Sequence, residues 1–147
     1  MTRQLRLTVG LRDPSHQRTI LLVEDELFVR EATCGILQLC GFKVLCAENA
    51  KEALKIFERC RGGIDLVMTD MILPGGTGHQ LGQDLRAQSP QVMVLVTSGY
   101  DKPDYETEAP NSGNYFLPKP YSRKTLVDKI EKILASVPLA LAVLQAS

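Results

Sequence analysis

Tryptophan is missing from this chain, and only two histidines are present, His16 and His79. The four cysteines, Cys34, Cys40, Cys46 and Cys60, form no Cys-x-x-Cys pair. Scattered thiols with two histidines argue against a zinc site. Net charge is also missing, with 17 Lys and Arg against 17 Asp and Glu. A nucleic-acid-binding surface would be strongly basic, so no direct nucleic-acid contact is expected. No run of about 18 apolar residues occurs, so no membrane insertion is expected. At the N-terminus Arg3 and Arg6 interrupt any signal-peptide core, and no small-residue cleavage site follows. A cytoplasmic protein with buried free thiols is expected.

What is present suits one domain with a real core: 147 residues, 44% hydrophobic and 23% charged. Residues 1–18 show no sustained period and read as a flexible leader or linker. Residues 19–135 carry the periodic pattern of the domain. Residues 136–147 form an apolar tail broken by Pro138.

Buried strands are expected at 19–23, 42–46, 65–70, 91–96 and 115–117, because each is a short, mostly apolar run. Lys43 suits an edge strand. Helices are expected between them. The first spans 26–40, with Val29, Ala32, Ile36, Leu37 and Cys40 inward and Gly41 as its stop. Asn49 with Glu52 opens the second, whose inner face is Ala53, Leu54 and Phe57 and which ends at Gly62-Gly63. Thr77 with Gln80 opens the third, with Leu81 and Leu85 inward and a solvent-facing His79. Residues 101–112, with Pro103 and Pro110, predict a short helix or an irregular loop, with Tyr105 and Ala109 as core contacts. Ser122 opens the last helix, with Leu126, Ile130, Ile133 and Leu134 inward. Strand and helix alternate five times, which means a doubly wound parallel sheet with helices on both faces, an α/β fold.

In such a sheet the chemistry sits at the carboxyl edge. Glu24 and Asp25 follow the first strand, Asp70 closes the third, Thr97 follows the fourth and Lys119 follows the fifth. Any one of these has a bland explanation: Asp70 opens a turn, and Glu24-Asp25-Glu26 favours a helix dipole. Their occurrence at four strand ends does not. Clustered carboxylates want a hard divalent cation, and few protein ligands suit Mg²⁺ (or Mn²⁺). A carboxylate can also attack phosphorus, with Lys119 and the Thr97 hydroxyl holding phosphoryl oxygens. Asp70 is the candidate nucleophile because its strand is central.

These residues resemble the receiver domains of the two-component response-regulator family. The resemblance rests on Leu21-Leu22-Val23-Glu24-Asp25-Glu26, Asp70 with Pro74 and Gly78, Val96-Thr97-Ser98-Gly99-Tyr100, and Lys119-Pro120, and covers roughly residues 19–134. It implies a flavodoxin-like, five-stranded sheet of order 2-1-3-4-5. It implies that Asp70 takes a phosphoryl group from a histidine kinase or phosphotransfer protein and that the domain then switches a downstream protein target. It implies Mg²⁺ ligation by Glu24, Asp25, Asp70 and the backbone carbonyl of Ile72. Thr97 and Phe116 fall at its switch positions, and Lys119-Pro120 at a commonly cis peptide. Such a domain is no enzyme beyond its own phosphorylation and slow dephosphorylation. Slow loss is expected because Ile72 and Gly99 carry no polar side chain to orient water.

Other readings stay open. A stand-alone regulator and the receiver of a hybrid sensor kinase share this pattern, and the basic leader leans toward the hybrid. A degenerate receiver would act as a phosphate-independent interaction module. An aspartyl-nucleophile phosphatase would need a second Asp where Ile72 stands. A flavin-binding module would have its phosphate repelled by Glu24-Asp25-Glu26.

Overall fold

The computed structural model describes residues 17–99 and 114–136. In chain order the elements are β1 (Thr19–Val23), α1 (Leu27–Leu39), β2 (Lys43–Ala47), α2 (Ala50–Cys60), β3 (Leu66–Asp70), β4 (Ile72–Leu73), β5 (Gly76–Thr77), α3 (Gly78–Gln88), β6 (Val94–Ser98), β7 (Asn114–Pro118) and α4 (Arg123–Ala135). Five strands form one parallel sheet in the order β2-β1-β3-β6-β7. Counting only these five gives the order 2-1-3-4-5. The edge place of β2 accounts for its exposed Lys43. β4 and β5 form a separate antiparallel pair, which the strand pattern did not anticipate.

Alternation along the strands divides the core in two. Leu21, Val23, Val67 and Val94 face one way, onto Ala53 and Phe57 of α2 and Leu81 and Leu85 of α3. Ile20, Leu22, Leu66, Met68, Leu95 and Leu117 face the other way, onto Leu37 of α1 and Leu126, Ile130, Ile133 and Leu134 of α4. Both faces are covered, which is why the strands read as unbroken apolar runs. Each fully buried Leu or Ile stabilises the fold by about 1.5–3 kcal/mol.

The helix starts follow local chemistry. Asn49 Oδ1 accepts from the Glu52 N–H at 2.8 Å, while Glu52 Oε1 accepts from Glu48 rather than from Asn49 itself. Thr77 and Gln80 make the full reciprocal capping box. Ser122 Oγ accepts from the Thr125 N–H at 3.0 Å. α2 ends with Arg61 and Gly62 both at positive φ.

Several expectations need correction. The fourth strand of the sheet runs Val94–Ser98, later than 91–96, so Thr97 lies inside it rather than after it. Gln91 and the prolyl turn before it are spent on the crossover from α3. The second strand likewise begins at Lys43, and Phe42 instead fills the core. On α1, Thr33 and Leu37 are buried, Cys34 and Cys40 pack against the core, Val29 and Ile36 are half-buried, and the expected inward Ala32 is exposed. The four cysteines are half-buried, not buried, because they flank the core rather than fill it. His79 is half-buried, with Nε2 3.4 Å from Gln83 Nε2. The expected leader up to residue 16, the 101–112 segment with Tyr105 and Ala109, and the tail from 137 on lie outside the described residues. No described helix is long and apolar enough to cross a membrane.

Candidate phosphoacceptor site

Strand register assembles the site. Val23 pairs with Thr69, so Glu24 and Asp25 leave β1 beside Asp70. Asp70 pairs with Thr97 across β3 and β6. Ser98 pairs with Pro118, and the Lys119 N–H donates to the Ser98 carbonyl at 2.7 Å. The Lys119–Pro120 peptide is cis. Four segments far apart in sequence thus converge on one edge of the sheet.

The side chains meet there. Lys119 Nζ lies 2.6 Å from Asp70 Oδ1 and 3.6 Å from Glu24 Oε1. Thr97 Oγ1 donates to the same Asp70 Oδ1 at 3.1 Å. Glu24, Asp25 and Asp70 each bring one carboxylate oxygen within 4.8 Å of the others'. Glu24 is only 6% exposed. Burial, then the hydrogen bond to Asp70 and its charge, push the Glu24 carboxyl up to about 7, against the Glu26 N–H and the Lys119 charge. Burial alone would pull Lys119 down, but the hydrogen bond to Asp70 and the charges of Asp70 and Glu24 outweigh it and leave Lys119 raised. One ammonium therefore faces more negative charge than it neutralises. Three hard oxygen donors so placed fit a divalent cation such as Mg²⁺.

The frame around Asp70 is tight. The Met71 N–H donates to the Thr97 carbonyl and the Gly78 N–H to the Met71 carbonyl, both at 2.7 Å. A Cβ on Gly78 would collide with the Asp70 carbonyl oxygen and stand 3.0 Å from Thr69 Cγ2. Glycine there lets α3 start directly under the acid. Ile72, in the small β4–β5 pair, is 57% exposed. Phe116, half-buried on β7, packs against the α2–α3 side of the core.

Sequence reasoning missed three supports. Arg30 Nη1 donates to the Glu24 carbonyl at 2.8 Å. Thr69 Oγ1 donates to the Asp70 carbonyl at 3.0 Å. Tyr121, two residues past Lys119, packs against the α1–α4 side of the core. Arg30 had a signal: it sits at i−3, i−4 and i−7 from Thr33, Cys34 and Leu37, a polar residue on an inward stripe.

A parallel sheet of order 2-1-3-4-5 with an acid cluster and a lysine at its carboxyl edge defines a class of α/β signalling module. The response regulator receiver domain model matches residues 20–131, and the chain belongs to that family. The sensor kinase CckA of Brucella abortus is 36% identical over 123 residues, which cover 83% of this chain and 13% of that protein. The crystal structure of the receiver domain from the hybrid histidine kinase CckA matches with a TM-score of 0.68 at 37% identity, covering 79% of this chain and 98% of that one. The response regulator TrrA of Thermotoga maritima, in complex with Mg²⁺-BeF, matches with a TM-score of 0.69 at 27% identity, covering 80% of this chain and 99% of that one. The chain spans from 13% to 50% of the length of curated relatives it matches.

Proposed function

We propose that Asp70 accepts a phosphoryl group from the phosphohistidine of a kinase or phosphotransfer protein. One observation carries this: Lys119 and Thr97 converge on the same oxygen of Asp70, within a cluster of three carboxylates. An Asp70 oxygen attacks phosphorus in line, the P–N bond breaks, and the histidine leaves as the neutral imidazole after taking up a proton. Lys119 then bonds a phosphoryl oxygen in place of the carboxylate oxygen it holds at rest. The Thr97 hydroxyl, already aimed at Asp70, bonds a second oxygen.

Glu24, Asp25, Asp70 and the Ile72 backbone carbonyl would hold Mg²⁺ (or Mn²⁺). Bound there, the cation neutralises charge on the phosphoryl oxygens. The TrrA structure with Mg²⁺-BeF supports this for a protein of the same fold. Movement of Thr97 toward the phosphoryl group, followed by Phe116, passes the signal to a downstream protein target. The likeness to CckA supports a hybrid sensor kinase as the parent of this receiver.

Intact-mass spectrometry after incubation with acetyl phosphate and Mg²⁺ tests this reading. The expected result is one phosphoryl adduct, absent in Asp70→Asn and absent without Mg²⁺. An adduct that persists in Asp70→Asn overturns it. So does the absence of any adduct both from acetyl phosphate and from a phosphorylated histidine phosphotransfer domain.

A further inference from the structure

The last turns of α2 hold a concentration of charge that the phosphoacceptor site does not use. Lys55, Glu58, Arg59 and Arg61 line a surface cavity of about 430 Å³. All four are exposed, and none makes an ion pair or a side-chain hydrogen bond among the described residues. The chain as a whole has no net charge, but three cations against one carboxylate leave this cavity strongly positive. α2 starts at the carboxyl edge of the sheet and runs back for 11 residues, about 16 Å at 1.5 Å per residue. The cavity therefore opens at the far end of the domain from Asp70, at the amino edge where the Arg18–Asp65 pair also lies.

The local sequence gives up stability to place these charges. Lys55 and Arg59 are like charges at i and i+4, which weakens a helix. Arg61 closes α2 in the left-handed conformation, φ 36° and ψ 67°, the only described residue other than glycine at positive φ. Glycine or asparagine suits that place, and a long side chain there is strained. Glu58 stands three residues from both Lys55 and Arg61, yet pairs with neither. A helix C-terminus does favour cations, but only over its last turn. That accounts for Arg59 and Arg61 and leaves Lys55 and the missing pairs unexplained. Local rules broken together around one cavity mark a ligand site.

We propose that this cavity binds a diphosphate group, either free as pyrophosphate or carried by a nucleoside diphosphate. The planar forks of Arg59 and Arg61 each present paired donors to phosphate oxygens, and Lys55 adds a point charge. The volume exceeds what one phosphate fills and lies in the range of small-ligand sites. No lining residue is apolar or aromatic. The site therefore recognises the charged diphosphate and not the body attached to it. Glu58 opposes the anion by its charge and keeps the binding readily reversible.

The test is isothermal titration calorimetry of the full chain with pyrophosphate and, separately, ADP, in metal-free buffer of low ionic strength. Saturable heat with one ligand per chain is expected, and inorganic phosphate binds more weakly. Equal binding of the two ligands assigns both sources to the site; heat with one alone assigns that source. Lys55→Gln and Arg59→Gln each weaken binding by about threefold to fivefold. Arg61→Gly does the same without lowering Tm, because glycine relieves the left-handed residue. Glu58→Gln tightens binding by about the same factor. Lys132→Gln, on exposed α4 across the sheet, changes nothing. All of these variants take a phosphoryl group at Asp70 as the parent does, so failure here is distinct from failure of the phosphoacceptor reading. The proposal is overturned if neither diphosphate gives saturable heat, or if inorganic phosphate binds as tightly. It is also overturned if Lys55→Gln and Arg61→Gly bind as the parent does, or if Lys132→Gln weakens binding as much as they do.

Discussion

Glu24 is held in the native state with a carboxyl near 7 instead of 4.5. A raised acid pKa means that the folded protein binds a proton the unfolded chain has already lost. Below pH 4.5 both states hold it and the group costs nothing. As pH rises from 4.5 to 7, unfolded Glu24 ionises first and stability falls, by at most about 1.4 kcal/mol per pH unit. Above 7 the cost levels off. Working this through for one group gives about 1 kcal/mol at pH 5 and about 3 kcal/mol at pH 8. Lys119, raised above 10.5, contributes stability that is lost only as pH climbs through its higher folded value, outside this window. Replacing Glu24 by Gln keeps the shape and removes the charge. In a metal-free buffer, Glu24→Gln is therefore more stable than the parent by about 1 kcal/mol at pH 5 and about 3 kcal/mol at pH 8. Urea denaturation followed by circular dichroism from pH 5 to 8 measures the difference. Adding Mg²⁺ raises the parent at pH 8 and leaves Glu24→Gln nearly unchanged, so the gap narrows. Parallel curves for the two proteins across this window would refute the reasoning.

Four further outcomes are expected. Gly78→Ala, whose Cβ meets the Asp70 carbonyl and Thr69, costs about 1–3 kcal/mol. Gly35→Ala in α1, with nothing within 4 Å of its Cβ, stabilises by up to about 1 kcal/mol; thermal melts that move both variants in one direction contradict the packing argument. The aspartyl-phosphate of the isolated chain decays slowly, because Ile72 and Gly99 offer no polar side chain to orient water. A half-life of seconds, read by intact mass after removal of the donor, contradicts that. Asn49→Ala removes the cap on the Glu52 N–H and lowers stability by about 1 kcal/mol, readable as a shift of the urea midpoint.

Much of this protein was legible before any coordinates. Apolar runs such as Leu21-Leu22-Val23 and Leu66-Val67-Met68 declare strands covered on both faces, because only two-sided burial removes the need for polar alternation. The caps at Asn49, Thr77 and Ser122 act within three residues, so their spacing alone reveals the helix starts. Asp70, Glu24-Asp25 and Lys119 were readable because a parallel sheet delivers every strand end to one edge. Tertiary structure decided the rest. Thr97 sits inside β6 because register with Asp70, not the apolar run, sets where that strand ends. On α1, Arg30 is committed to the loop carrying Glu24, whose carbonyl takes its guanidinium as a donor, which no local pattern on the helix specifies. The small β4–β5 pair and the clash awaiting any side chain at Gly78 depend on contacts between segments. Local sequence determines what each segment can form; which atoms then come within 3 Å of one another is a property of the packed chain.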